Sequence, residues 1–181
     1  MRQPARLVCH PGTPDLAVQR IETHAQIQAG TLVLHYSLAG DLASLRIPPP
    51  RPPQRADRLW EHGCFEAFVA VDGTPGYLEF NFAPSGEWAI YSFSRYREAA
   101  ALPDNLPAPT INVRATQDRL ELEAVIALAG WVSPGARLRL GLSAVIENQS
   151  GALSYWALRH PAGKPDFHHP EAFALELGLD A

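Results

Sequence analysis

The chain has 181 residues, 46% of them apolar and 19% charged, with a formal net charge of −4. That length suits one domain over residues 1–181, and that apolar share builds a sizeable core rather than a disordered chain. With a single lysine, Lys164, and no run of arginines, the composition argues against nucleic-acid binding, which needs a basic face to neutralise phosphates.

The N-terminal "MRQPARLVCHPGTPDL" lacks the apolar stretch of roughly 7–15 residues that marks a secretory signal. No run approaches the roughly 18–20 apolar residues of a membrane span, so the expectation is a cytoplasmic protein without membrane contact. Cys9 and Cys64 match no zinc or redox spacing and are expected as two unpaired core thiols.

Further along, "TLVLHYSL" (31–38) alternates Leu32, Leu34, Tyr36 and Leu38 against Val33, His35 and Ser37, the pattern of a half-buried strand. "LASLRI" (42–47) is another short segment of the same kind, and the prolines of "PPPRPP" (48–53) make a stiff loop that cannot join a ladder. "CFEAFVAV" (64–71) leads through "DGTPG" into "YLEFNF" (77–82). There Leu78, Phe80 and Phe82 point one way, into a core, while Tyr77, Glu79 and Asn81 point the other. The turn "PSG" then decides Trp88. A three-residue loop with Gly86 in the left-handed region sets Trp88 opposite Phe82 in the core, which is the favoured expectation; an even loop would set it beside Asn81. "SRYREAAAL" (94–102) is the one helical signal, a turn or two before Pro103. "TINVRA" (110–115) with "LELEAVIAL" (120–128), and "RLRLGLSAVIE" (137–147) with "LSYWALR" (153–159), each flank turn residues and predict hairpins. The fold expected is all-β, an antiparallel sandwich or barrel with at most one or two short helical turns.

No nucleophile elbow, P-loop or dinucleotide fingerprint occurs. Glu61, Glu66, Glu79 and Glu87 offer carboxylate pairs for glycoside hydrolysis, but charges on solvated strand faces are the commoner outcome. His160, Asp166, His168, His169 and Glu171 cluster near the C-terminus. Adjacent histidines on an extended chain point apart, so an ordered, proline-held loop is expected there rather than a metal site. On the polar strand face Glu66 and Glu79 are expected to meet, and two carboxylates repel unless a cation or a hydrogen-bonding ligand sits between them. Arg95 or Arg159 is the candidate cation. Sugar hydroxyls are the functional alternative, with Trp60, Trp88 and Trp156 as stacking surfaces or as core.

Two segments carry a resemblance. "LWEHGCFEAFVAVDGTPGYLEFNFAPSGEWAIYSFSRYR" (59–97) resembles the central part of DOMON-like proteins related to family 9 carbohydrate-binding modules, and "SYWALRHPAGKPDFHHPEAFAL" (154–175) resembles their closing part. The resemblance implies a jelly-roll β-sandwich with a sugar slot between two tryptophans. By position, Trp60 and Trp156 would be the walls and Glu66 the acidic contact. Glu79 and Asn81 would stand where that family has an amide and a guanidinium, with Arg159 nearby. It also implies structural calcium, whose ligands the resemblance does not place in this chain. The wider group includes haem binders; Met1 is the only methionine, so Met/His ligation is excluded and bis-His ligation, through His35 or His62, stays formally open. The expectation is a non-catalytic sugar-binding domain. A stand-alone domain whose polar face is a structural network, or which binds another small ligand or a protein, is the alternative, and a glycoside-acting enzyme comes third.

Overall fold

The structure, a computed structural model, describes residues 3–104 and 106–179. Twelve strands form in chain order: β1 (Gln3–Cys9), β2 (Val18–Gln28), β3 (Thr31–Gly40), β4 (Cys64–Val71), β5 (Tyr77–Phe82), β6 (Trp88–Arg95), β7 (Glu98–Ala100), β8 (Thr110–Ala115), β9 (Arg119–Ala127), β10 (Arg137–Glu147), β11 (Leu153–Ala157) and β12 (Leu175–Gly178). Every pairing between them is antiparallel.

The result is a β-sandwich. One layer runs β1-β2-β3-β9-β8 and the other β7-β6-β5-β4-β10-β11. Strand β1 belongs to both: Gln3 to Leu7 pair with β2, then Val8 and Cys9 pair with β11. Strands β1, β2 and β12 lie outside the segments that the alternation picks out. No helix among the described residues is long and apolar enough to cross a membrane.

Alternation fills the space between layers. Leu32, Leu34, Tyr36 and Leu38 from β3 and Leu120, Leu122, Ala124 and Ile126 from β9 meet Phe65, Ala67, Val69, Leu78, Phe80 and Phe82 from β4 and β5. Burying such side chains supplies the main favourable term for folding. Tyr36 carries its hydroxyl across the core and donates to the backbone carbonyl of Glu66 at 2.8 Å, so it satisfies its polar end without leaving the apolar layer.

Four expectations meet the structure here. Gly86 adopts φ 92°, and Trp88 pairs with Phe82 and packs against the core, as the odd loop requires. The expected helix at 94–102 is instead a hairpin. Strand β6 runs on to Arg95, Arg97 turns the chain at φ 55°, and β7 returns beside it. Pairing with the β6 edge and the Arg95 to Glu98 contact outweigh the alanine helix propensity. The expected strand at 42–47 is a 3-10 turn, Leu42–Ser44, followed by a single bridge from Leu45 to Asn148. Cys64 is buried and Cys9 half-buried, both as free thiols.

Candidate functional site

Both faces of β4 and β5 are buried, which a half-exposed sheet would not show. The cover on the outer face is the C-terminal segment after β11. Pro161 and Pro165 restrict its backbone, and Pro170 opens a 3-10 turn, Pro170–Ala172. The His10 ring meets the Gly163 carbonyl at 3.0 Å and the His160 ring meets the Val8 carbonyl at 2.8 Å, tying its first part to β1. Asp166 accepts from Arg97 at 2.8 Å and from Tyr96 at 2.7 Å, tying its middle to the β6–β7 turn. Phe167 and Phe173 then pack on Phe68, with Tyr77 stacked on Phe93 beside them. Close approach of the cover also needs Gly141, because a Cβ there would stand 3.3 Å from the Ala172 carbonyl oxygen.

Beneath the cover the strand register sets out the floor in rows. Tyr91, Glu79, Phe68 and Gly141 are directly paired across β6, β5, β4 and β10, and the next row is Ala89, Asn81, Glu66 and Ser143. Glu66 and Glu79 are therefore diagonal neighbours on adjacent strands, as the shared face predicts. Between floor and cover lies a cavity of about 400 Å³, lined by Trp60, Glu66, Glu79, Tyr91, Arg97, Tyr155, Phe167 and His168 among others.

The two carboxylates are 3% and 6% exposed, so their chemistry is that of buried acids. Glu66 accepts from the Ser143 hydroxyl at 3.2 Å and the Cys64 thiol at 3.5 Å. Burial, and then the charge of Glu79, push its carboxyl up to about 8. Glu79 accepts from the Asn81 amide at 2.8 Å. Its carboxyl is also raised by burial, with the Asn81 hydrogen bond and the Arg97 charge pulling the other way. Near neutral pH Glu66 therefore keeps its proton. His168 is drawn down to about 4 by burial and is neutral. Tyr77 accepts the Arg97 N–H at 3.1 Å and meets His168 Nδ1 at 2.8 Å. With Tyr77 donating to Nδ1, the ring proton is assigned to Nε2, which faces Glu79 at 3.6 Å.

Of the residues singled out by sequence, Trp60, Glu66 and Glu79 line the cavity together. Trp60 comes from the 3-10 turn Leu59–Glu61 and stands edge-on to Tyr91, ring centroids 5.5 Å apart, at 40% exposure. Tyr91 is itself fixed by donating to Asp57 at 3.0 Å. Asn81 is fully buried within the floor and acts on Glu79 rather than on the cavity. Trp156 does not stand opposite Trp60. It is 5% exposed in the core, and its neighbour Tyr155 lines the cavity instead. The cause is strand parity. Tyr155 pairs with Val145 and thereby with Cys64 on the outer face, which turns Trp156 inward beside Ala144. Arg159 is exposed and outside the lining, and Arg95 pairs with Glu98. The cation at the cavity is Arg97, which sequence reasoning missed because the helical expectation gave it no face.

Among the described residues no group of three or more His, Cys, Asp or Glu side chains comes together to hold a metal ion. Asp166 and His168 serve the cover, while His169 accepts from the Glu171 N–H in the last 3-10 turn. His35 sits at 3.3 Å from Glu123 and His62 at 2.9 Å from Glu147.

No protein-family model matches the chain, and no curated protein matches it. Solved structures do. A candidate carbohydrate-binding protein from Bacteroides uniformis aligns with a TM-score of 0.71 at 20% identity, over 99% of this chain and 86% of that one. A family 9 carbohydrate-binding module from Caldicellulosiruptor kristjanssonii in complex with cellotriose aligns with a TM-score of 0.65 at 11% identity, over 98% and 82%. A family 9 module from the same organism in complex with glucose gives 0.60 at 10% identity, over 96% and 84%. At such identities the likeness is one of fold: the chain has the β-sandwich of family 9 carbohydrate-binding modules.

Proposed function

We propose that the chain is a single, non-catalytic carbohydrate-binding domain of DOMON-like type whose ligand occupies the cavity over Glu66 and Glu79. The observation that carries this is the joining of aromatic sides, Trp60 and Tyr91 with Tyr155 and Phe167, to a hydrogen-bonding floor in one open cleft. A pyranose needs both, because indole and phenol rings accept its C–H face while carboxylates accept its hydroxyls. The fold-level likeness to modules solved with cellotriose and glucose supports the same ligand class.

Hydrolysis fits the geometry less well. Glycosidases place their two carboxyl groups on either side of the scissile bond, whereas Glu66 and Glu79 are diagonal neighbours on one floor. The structural alternative has its own support, since both carboxylates already hold protein partners. Calorimetry against a panel of mono- and oligosaccharides separates the two. The expected result is saturable heat that Glu79→Ala weakens by roughly 5–150-fold, the effect of losing one buried hydrogen-bond partner of about 1–3 kcal/mol, with a Trp fluorescence change that Trp60→Ala abolishes. Absence of heat with every sugar leaves the structural network as the function of the polar face.

A further inference from the structure

We propose that the sugar this cleft takes is an amino sugar, with a free ammonium group seated between Glu66 and Glu79. The inference rests on the carbohydrate-binding reading and adds the chemical class of the ligand.

Its basis is an imbalance of charge on a buried floor. Glu66 and Glu79 sit on adjacent strands and both are buried. The hydrogen bonds made to them come from neutral groups: the Cys64 thiol and Ser143 hydroxyl on Glu66, and the Asn81 amide on Glu79. The His168 ring near Glu79 is neutral as well. Among the described residues Arg97 is the one Arg or Lys in the cavity lining, and its guanidinium is engaged by Asp166 at 2.8 Å. Two buried acids therefore share a cleft without a protein cation between them. A hydroxyl satisfies a carboxylate as a donor but brings no charge. An ammonium brings three donors and a positive charge that lets both carboxyls stand ionised side by side. Trp60, Tyr91, Phe93 and Phe167 line the same cavity, and aromatic rings also favour a cation. Uronic acids and sulfated sugars would meet repulsion, and an N-acetyl group would carry no charge to the floor.

Protons supply an independent signature. Glu66 is faced by Cys64 on its own strand, Ser143 on β10 and Glu79 on β5. Glu79 is faced by Asn81 on its strand, Tyr91 on β6, Arg97 at the β6–β7 turn, and Tyr77 and His168. Without ligand Glu66 retains its proton near neutral pH. An ammonium arriving between the two carboxylates displaces that proton to solvent.

The test is calorimetry on the full chain at pH 6, where the sugar amine is ammonium, with a β-1,4-linked glucosamine trisaccharide, its fully N-acetylated counterpart and a neutral glucose trisaccharide. Each is run in two buffers of different ionisation enthalpy. The amine should bind about 10–150-fold more tightly than either uncharged sugar, the factor for a charge-assisted hydrogen bond, and should release a proton. Glu66→Gln and Glu79→Gln should each erase that preference. A neutral sugar that binds as tightly as the amine overturns the amino-sugar inference and leaves carbohydrate binding intact. Absence of heat from all three overturns both.

Discussion

The sandwich has two outer faces, and the same period-two alternation gives each a polar stripe. On the β2-β3-β9-β8 side, His24, His35, Glu123 and Asn112 form one cross-strand row and Glu22, Ser37, Glu121 and Arg114 the next. These residues line a concavity of about 760 Å³, larger than the one over Glu66 and Glu79. Yet His35 and Glu123 remain 38% and 36% exposed, and the one tyrosine in that lining, Tyr36, has its ring in the core. On the β6-β5-β4-β10 side the C-terminal segment and its aromatic rings lie over the stripe, and Glu66 and Glu79 fall to 3% and 6%. Concavity alone does little chemistry. Removal of water changes what a carboxylate does.

Substitutions that part the two faces test this, beginning with the layer they share. Phe80 is fully buried on the inner side of β5, directly behind Glu79. Phe80→Ala should cost about 3–5 kcal/mol in denaturant melts. A cost near zero would mean that Phe80 is not packed between the two layers.

The next effect is of pH. Glu66 has a carboxyl raised to about 8 in the folded state, against roughly 4.3 in an unfolded chain. A raised pKa stabilises the fold fully below the unfolded value, and that contribution is lost as pH climbs through the folded one. His168, lowered to about 4, works oppositely. Its contribution is present above roughly 6.5 and disappears as pH falls. The window from pH 6.5 to 8 therefore isolates the carboxylates, and stability should decline across it. Glu66→Gln should flatten the decline and leave the protein more stable at pH 8, by up to a few kcal/mol. Glu121→Gln on the open face should stay within about 0.5 kcal/mol at every pH. Thermal melts of the three proteins across that window decide it, and an equal slope in wild type and Glu66→Gln would remove the buried-acid account.

Sequence reaches unequal depths on the two faces. The period-two pattern in Tyr77–Phe82 is strong because every inner position is a large apolar residue, and it correctly places Glu66 and Glu79 together. In β2 the inner positions include Thr23 and Ala25, and a register shift after Val18 breaks the period, so the strand is hidden. The choice between Tyr155 and Trp156 is a parity of one residue, and it is fixed by pairing with β10 rather than by local composition. The cover has no period at all. Its position depends on tertiary contacts such as Asp166 with Arg97, which no window of sequence contains.

That contact gives the third prediction. Asp166 takes hydrogen bonds from Arg97, Tyr96 and the His168 N–H, and so holds the cover at its middle. Asp166→Ala should cost about 1.5–3 kcal/mol, the range for hydrogen bonds to a charged group. Amide exchange should rise across residues 163–169 while β2 and β3 remain protected. Uniform loss of protection would mean that the cover is not a separate layer.

The smallest effect belongs to the open face. Arg20 meets Glu22 there at 3.4 Å, with side chains 42% and 50% exposed. Their attraction acts through water, and ordering two long side chains offsets most of it. A double-mutant cycle with Arg20→Ala and Glu22→Ala should give a coupling of about 0.5 kcal/mol or less that fades between low salt and about 1 M, as the Debye length shrinks to roughly 3 Å. A parallel cycle on Arg97 and Asp166, where the carboxylate is 19% exposed, should give a larger coupling that salt screens less. Equal couplings with equal salt dependence would show that the cover does not dry its face. The raised carboxyls of Glu66 and Glu79 would then lose their physical cause, and with it the preference of the cleft for a cationic ligand.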